Sequence, residues 1–445
     1  MADFFKRIGR LSTFRIIIIG FLAAILLGAV LLSLPVSSAE GKATPFDQAA
    51  FTATSAVCVT GLAVRDTGSY WSGFGQAVIL IMIQIGGLGI VTVAASITLL
   101  AGKKVSLKQK STVQEAVAGQ NVGSVVKLTG FIVGTTLAIE LLGAIALMPA
   151  FCGRYGLRGI WMALFHAVSA FCNAGFDIMG TSAEPFVSLT GFSADVYVNI
   201  VVMILIVAGG LGFLTWQDLL NHKLRVKRYR MQSKVILTVS GILIIIPALI
   251  FFIFDFAGMP MGSRVLASLF QSVTTRTAGF NTVDLAGMNA GGRALMIALM
   301  LIGGSPGSTA GGMKTTTAAV LIANAVATFG RRENASFFGR RVDNDTVRSA
   351  ATILMLYLAL FITAALVISA IEGLPLDLCL FETASAIGTV GLTLGITTGL
   401  GLASKLILKA LMFFGRVGGL TLIYAALSGA KRTAAKLPVD KITVG

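Results

Sequence analysis

Four stretches of this 445-residue chain read as variants of one another. They are Phe51-TATSAVCVTG-Leu62, Phe165-HAVSAFCNAG-Phe176, Phe270-QSVTTRTAG-Phe280 and Phe381-ETASAIGTVG-Leu392, the third one residue shorter. Each is a small, hydroxyl-rich, helix-like segment that ends in a glycine and then Leu or Phe. The glycines Gly61, Gly175, Gly279 and Gly391 are 114, 104 and 112 residues apart. Similarity at a long, fixed period is a signal of architecture. A second motif follows each of the first: Ile85-GGLGIVT, Ala208-GGLGFLT, Ile302-GGSPGST and Phe414-GRVGGLT. One such glycine cluster alone reads as close helix packing. Four in register with another motif read as one unit repeated.

Apolar runs surround these motifs, at 14–34, 74–100, 125–150, 195–221, 235–257, 293–329, 349–371 and 403–430. About 20 apolar residues suffice to cross a bilayer. The first run, from Ile16 to Leu34, is too long for a signal-peptide core and reads as a retained span. Charged residues make up 12% of the chain and hydrophobic residues 56%. A soluble domain carries about 25% charged residues, so the chain is a multi-pass membrane protein. The formal net charge is +16, yet nucleic acid is not its partner. Of 35 Lys and Arg, 25 lie in 1–15, 101–127, 222–234, 314–348 and 431–445, all between spans on one side. That side is cytoplasmic by the positive-inside rule, and both termini belong to it. The basic loops there meet membrane lipid. The sequence predicts an all-α protein of eight transmembrane helices in four tandem helix–pore-loop–helix (M1-P-M2) units. Their limits are 1–110, 111–228, 229–342 and 343–445.

Each inner segment is too short to span, so it should enter the membrane and return. Non-helical backbone at that depth persists only where it is buried or lines a water-filled path. Four such loops around a pseudo-fourfold axis supply a central pore. Their carbonyls can replace the hydration shell of a cation, as they do in potassium-channel filters. The short helices should aim their negative C-terminal ends at it. Thr389-Val390-Gly391 is nearest to the T-V-G core of such a filter. Val59-Thr60-Gly61, Asn173-Ala174-Gly175 and Thr277-Ala278-Gly279 are its counterparts.

This pattern resembles the Trk/Ktr/HKT potassium-transporter superfamily over nearly the whole chain. The first unit opens the chain without the extra leading helix pair of Trk subunits, so the likeness is with KtrB-like membrane subunits. The resemblance implies potassium uptake at the cell membrane, with K+ as the transported ion and Na+ as an activator. It also implies a homodimer, in which the tail Lys436 to Gly445 takes part, and a cytosolic KtrA-like ring that binds ATP or ADP. The loops 101–127, 222–234 and 330–348 are then its docking surfaces.

A gate is expected in the sixth span. Its 37 residues would reach about 55 Å as one helix, far beyond a hydrocarbon core of about 30 Å. The break is Gly303, Gly304, Ser305, Pro306, Gly307, Ser308, Thr309, Ala310, Gly311 and Gly312, up to Met313. The resemblance implies an intramembrane loop at this position. Lys314 follows the loop, and Arg416 interrupts the eighth span. Intramembrane charges normally face a cavity or a partner. Arg416 reads as an electrostatic barrier, as an anchor for the loop, or as a cap on carbonyls. Arg276 reads as a donor to pore-helix carbonyls behind the filter. Asp66, Asp177, Asp284 and Glu382 read either as a cation-concentrating mouth or as ordinary loop residues.

Other chemistry is lacking. Cys58, Cys152, Cys172 and Cys379 show no metal spacing, and His166 and His222 are too few for a histidine site. No phosphate-binding glycine loop or dinucleotide fingerprint is present, so no nucleotide site is expected in this chain. No carboxylate pair falls mid-span, which excludes an intramembrane aspartyl enzyme. The remaining alternative is a secondary transporter of another small cation or solute, built on broken helices.

Overall fold

The computed structural model describes residues 12–100, 125–419 and 421–422. The first eleven residues, most of the 101–127 loop and the tail Lys436 to Gly445 lie outside the described residues, as do the expectations attached to them. The described chain is predominantly helical, with one two-stranded antiparallel hairpin of β1 (Ser336–Phe337) and β2 (Arg340–Arg341).

Four long helices carry the largest apolar surface: α1 (Thr13–Ser33), α5 (Val125–Tyr155), α9 (Met231–Phe254) and α13 (Asn344–Glu372). Each is long and apolar enough to cross a membrane. Their outward side chains include Leu27, Leu142, Ile245 and Met355, which are 64%, 66%, 58% and 72% exposed. Apolar exposure on that scale suits hydrocarbon as solvent, because helices satisfy their own backbone groups there.

A short helix follows each long one: α2 (Phe46–Val57), α6 (Arg158–Phe171), α10 (Met261–Thr274) and α14 (Leu376–Gly388). Pro45, Pro260 and Pro375 stand at the start of three of them, where a missing N–H costs nothing. The phenyl rings that open the repeated motif, Phe51, Phe165, Phe270 and Phe381, are all fully buried. Leu62, Phe176, Phe280 and Leu392, after the glycines, are buried as well. The two apolar ends of each motif therefore anchor the loop between them.

The next helices are α3 (Gly73–Leu88), α7 (Val196–Gly210), α11 (Ala290–Leu301) and α15 (Leu402–Val417). Ser72, Asp195 and Asn289 cap the first three by accepting from Gly75, Val198 and Gly292 amides at 3.2, 3.0 and 2.7 Å. At α15 the cap comes from the preceding long helix: Glu372 accepts from the Gly401 amide at 2.8 Å and the Ser404 hydroxyl at 2.5 Å.

These four helices are not single rods. α3 is followed by α4 (Ile90–Leu100), α7 by α8 (Phe213–His222) across a bend of 101°, and α11 by α12 (Thr315–Phe329) across the loop 302–314. By length and composition the described residues thus hold four spanning helices, or five when the bent pair is one span. The break has a common origin. Gly89, Gly212 and Gly418 occupy one position of the second motif, where the third unit has Pro306, and Gly307 occupies the position after it; all four have positive φ, +82°, +87°, +90° and +65°. That conformation turns the chain out of the helix and suits glycine alone.

Candidate functional site

The repeated glycines meet. A Cβ added at Gly61 would lie 2.6 Å from the Ala174 carbonyl oxygen and 3.1 Å from the Gly175 Cα. One at Gly175 would lie 2.8 Å from both the Ala278 oxygen and the Gly279 Cα. One at Gly279 would lie 2.4 Å from the Val390 oxygen, and one at Gly391 2.2 Å from the Thr60 oxygen. The contacts run 61 to 175 to 279 to 391 and back to 61, a closed ring in chain order. Thr60, Ala174, Ala278 and Val390 contribute its carbonyls. The ring thus holds the last two residues of each expected triplet, and the Asn173 side chain donates to the Thr277 hydroxyl at 3.2 Å.

The loops share one backbone shape. Gly61, Gly175, Gly279 and Gly391 have φ of +94°, +67°, +83° and +94°. Two residues earlier, Val59, Asn173, Thr277 and Thr389 also have positive φ, +56°, +58°, +69° and +52°. The left-handed dihedral is therefore not confined to the glycines. Three of these four earlier residues are β-branched, for which left-handed backbone is an outlier costing on the order of 1–3 kcal/mol. The surroundings hold it. Thr60 donates its amide to the Ser55 carbonyl, Ala174 to that of Ser169 and Val390 to that of Ser385, each at 2.8 Å. In the shorter third loop Ala278 donates to Thr274 at 2.9 Å. The same four acceptor residues use their hydroxyls. Ser55 and Ser385 accept from the Gly61 and Gly391 amides at 3.0 Å. Ser169 donates to the Phe176 carbonyl at 2.7 Å, and Thr274 to that of Phe280. The hydroxyl content of the motif is thus a clamp behind each loop. The buried hydroxyls of Thr60 and Thr389 have no hydrogen-bond partner among the described residues.

The loop 302–314 packs against this ring from one side. A Cβ at Gly311 would lie 2.1 Å from the Thr389 hydroxyl oxygen, and one at Gly312 2.9 Å from the Gly388 oxygen. Thr309 donates its hydroxyl to the Phe171 carbonyl at 2.9 Å, at the end of α6. Backbone bonds fix the rest. Gly303 donates to Met313 at 2.7 Å, Ser305 to Gly210 at 3.0 Å, Thr309 to Gly209 at 3.2 Å and Gly312 to Gly415 at 3.1 Å. The Gly307 carbonyl accepts from the Phe213 amide at 2.8 Å. Lys314 Nζ donates back to the Ala310 and Gly311 carbonyls at 2.8 and 3.2 Å. Arg416 donates to the Thr309 carbonyl and, on its other side, to those of Gly86 and Gly87. It therefore ties the loop to the broken end of α3. Ser308 lies in this loop, its hydroxyl without a hydrogen-bond partner among the described residues, and Gly304 packs on the Ala310 methyl.

Other expectations land differently. Arg276 is buried, but its Nη2 donates to the Ser240 hydroxyl of α9 at 3.1 Å rather than to a pore-helix carbonyl, because α9 packs directly behind α10. Asp66 is buried and accepts from Ser69 and from the Phe186 amide at 2.8 Å, across two different outer loops. Glu382 is fully buried and takes the hydroxyls of Thr393 and Thr397. These two acids brace loops. Asp177 is half-buried in the outer loop after Phe176. Burial, and then the Asp66 charge beside it, push its carboxyl up to about 7. Asp284 is exposed and turns its own loop.

One residue was missed. Glu140 lies in the middle of α5, is 3% exposed, and accepts from the Gln84 amide of α3 at 3.1 Å. Cys172, immediately before Asn173, lies 3.5 Å from its other oxygen. A lone carboxylate within a span was the available signal, since such groups are costly and rare.

Comparison with known proteins places the chain. The family model described as TrkH, cation transport protein, matches residues 12–431. The chain belongs to the TrkH cation transport protein family. This is a family of ion transporters, not of enzymes. Among relatives of this TrkH-family protein, the potassium/sodium uptake protein NtpJ of Enterococcus hirae is 40% identical, over 98% of each chain. The Ktr system potassium uptake protein B of Bacillus subtilis is 37% identical over 92% of each chain. That of Vibrio alginolyticus is 35% identical, over 97% of this chain and 94% of the other. The crystal structure of the potassium transporter TrkH from Vibrio parahaemolyticus superposes with a TM-score of 0.71 at 19% identity, covering 91% of this chain and 84% of that one. This last likeness establishes the fold.

Proposed function

We propose that this chain mediates potassium uptake across the cell membrane through a filter of backbone carbonyls. The filter comprises residues 59–61, 173–175, 277–279 and 389–391. The observation that carries the reading is the closed ring of glycines, each against a carbonyl of the next loop. Peptide oxygens converging on one axis replace a cation's hydration shell. The unpaired hydroxyls of Thr60 and Thr389 support it, as additional oxygen donors beside the ring. The printed names of the relatives above support potassium as the cargo.

The four units then surround the axis, 1–110, 111–228, 229–342 and 343–445. The loop 303–313, with Lys314 and Arg416, is the gate in this reading. Its bonds to α6, α7 and α15 hold it across the path beside the filter, and Arg416 serves as its clamp. Uptake is sodium-dependent in this reading; the name of the Enterococcus relative sets sodium beside potassium as an ion taken up. Control rests with a cytosolic nucleotide-binding ring in this reading; the printed names of the Ktr relatives, as proteins of a system, support a partner subunit. The protein works as a homodimer in the plasma membrane with both termini in the cytoplasm.

Potassium and rubidium flux into liposomes carrying the purified protein, with and without sodium, tests this. Rubidium influx that saturates, that unlabelled potassium suppresses and that sodium stimulates is expected. Flux of sodium alone, indifferent to potassium, would replace the reading with transport of another small cation.

A further inference from the structure

Beside the loop 302–314 lies a cavity of about 840 Å³. Three helices begin near it: α9 at Met231, α12 by Thr316 and α13 by Asp343. None of the three is capped by the side chain of its own N-cap residue, although at α9 the Asp218 carboxylate accepts from the Arg230 amide at 3.0 Å and the Ser233 hydroxyl at 2.7 Å. Helix starts carry free N–H groups and partial positive charge. Arg230 and Arg341 are on its lining. Arg230 shares its charge with Asp218 at 3.5 Å, whereas Arg341 has no carboxylate in reach among the described residues. Asp343 is the acid on the lining. Thr317 is 9% exposed, faces the cavity, and its hydroxyl makes no hydrogen bond to the described chain.

The lining also includes apolar Val235, Val320, Phe337 and Ile353. The segments on either side, 222–234 and 330–348, hold 11 Lys and Arg against three Asp and Glu. Lys234 Nζ sits 5.9 Å above the Phe338 ring and joins them. Just beyond, Ile242 of α9 and Ile322 of α12 are 48% and 65% exposed, as bilayer-facing side chains are. A site that is cationic at its mouth, apolar in part of its lining and open to the bilayer fits an amphiphile better than a free anion.

We propose that this cavity binds the phosphate headgroup of an anionic phospholipid. The phosphate lies against Arg341, the Thr317 hydroxyl and the start of α12, and an acyl chain follows Val235, Val320 and Ile353. Pro306 is also on the lining, so the bound lipid braces the outer face of the loop 302–314. That consequence rests on the gate reading above; the binding itself does not.

The test uses the full chain in detergent. Its thermal midpoint is followed against short-chain phosphatidylglycerol, phosphatidylcholine of equal chain length, and glycerol 3-phosphate. Phosphatidylglycerol alone should raise the midpoint. Arg341→Gln and Thr317→Val should each raise its half-saturating concentration, the arginine change by about tenfold, the loss of one charge-assisted contact. Both substitutions leave the lipid-free midpoint near that of the parent, since one side chain is exposed and the other swap is isosteric. An equal effect of glycerol 3-phosphate would overturn the lipid assignment. An equal effect of phosphatidylcholine, or variants that titrate like the parent, would overturn the site. Rubidium flux in liposomes of the two lipids reads the bracing. Partner-free flux should be lower in phosphatidylglycerol, and equal flux would overturn the brace. A failed filter reading looks different: no flux in either lipid, with the midpoint shift intact.

Discussion

Gly279→Ser asks most of the ring. A Cβ at this position would lie 2.4 Å from the Val390 oxygen and 2.9 Å from the Gly175 Cα. Ordinary contact begins near 3.4 Å, so the Val390 carbonyl must retreat by about 1 Å. Left-handed backbone at a non-glycine residue costs roughly 1–2 kcal/mol. Overpacking in a closely packed region adds roughly 1–3 kcal/mol. The chain relieves much of this by moving the Val390 carbonyl, a member of the ring itself. With about 1.4 kcal/mol per factor of ten, loss of one third of that roughly 2–5 kcal/mol from cation binding weakens affinity by roughly three- to seventeenfold. Rubidium uptake by cells lacking their own potassium uptake systems measures the half-saturating concentration. Thermal unfolding of the purified variant checks folding. Gly395→Ser is the matched control. Gly395 has φ of +94° and nothing within 4 Å of its added Cβ, so the backbone cost is present and the ring contact is not. A folded Gly279→Ser protein with unchanged affinity, or a Gly395→Ser protein with an equal loss, would refute the assignment.

Further expectations concern the loop, the buried carboxylate and the outer face. Arg416→Lys keeps the charge but cannot bridge Thr309 to Gly86 and Gly87, so partner-free rubidium flux should rise several-fold. Flux equal to the parent's would mean that charge alone matters there. Deleting part of 305–312 should raise partner-free flux further, and unchanged flux removes the gate. Glu140→Ala strands the Gln84 amide and should destabilise the protein by roughly 1–3 kcal/mol in detergent unfolding, whereas Glu140→Gln, which keeps an acceptor, should lose less. Asp177 has its carboxyl raised from the ordinary 3.8 to about 7. Its contribution to stability is therefore complete below about pH 3.8 and is lost as pH rises through about 7. Asp177→Asn should flatten that part of the unfolding profile, and an unchanged profile would show that another group titrates.

Much of the site was legible because its signals are local in sequence. The triplets proposed as the filter are contiguous, and their repetition four times exposes them. The loop 303–313 stood out because 37 residues overrun a bilayer and because its glycines interrupt an apolar run. The positive φ of Val59, Asn173, Thr277 and Thr389 was not legible, since Val and Thr do not announce left-handed backbone. Only the amide and hydroxyl clamps from Ser55, Ser169, Thr274 and Ser385 hold it. Arg276 was misjudged because its partner, Ser240, is 36 residues away on another helix. Glu140 escaped because it stands without a second carboxylate, and its partners are Gln84 and Cys172.

By itself the sequence determined that the chain lives in a bilayer, that it repeats a helix and a short glycine-ended segment, and which residues end those segments. Hydrophobic content, span length and motif period are properties of neighbours along the chain. The tertiary structure alone decided that Gly61 faces Gly175 and Gly391 faces Gly61, that Arg416 reaches a carbonyl 330 residues away at Gly86, and that Thr317 and Arg341 share one cavity. Those are meetings between distant segments, and close packing of whole helices, which no local pattern encodes, selects them.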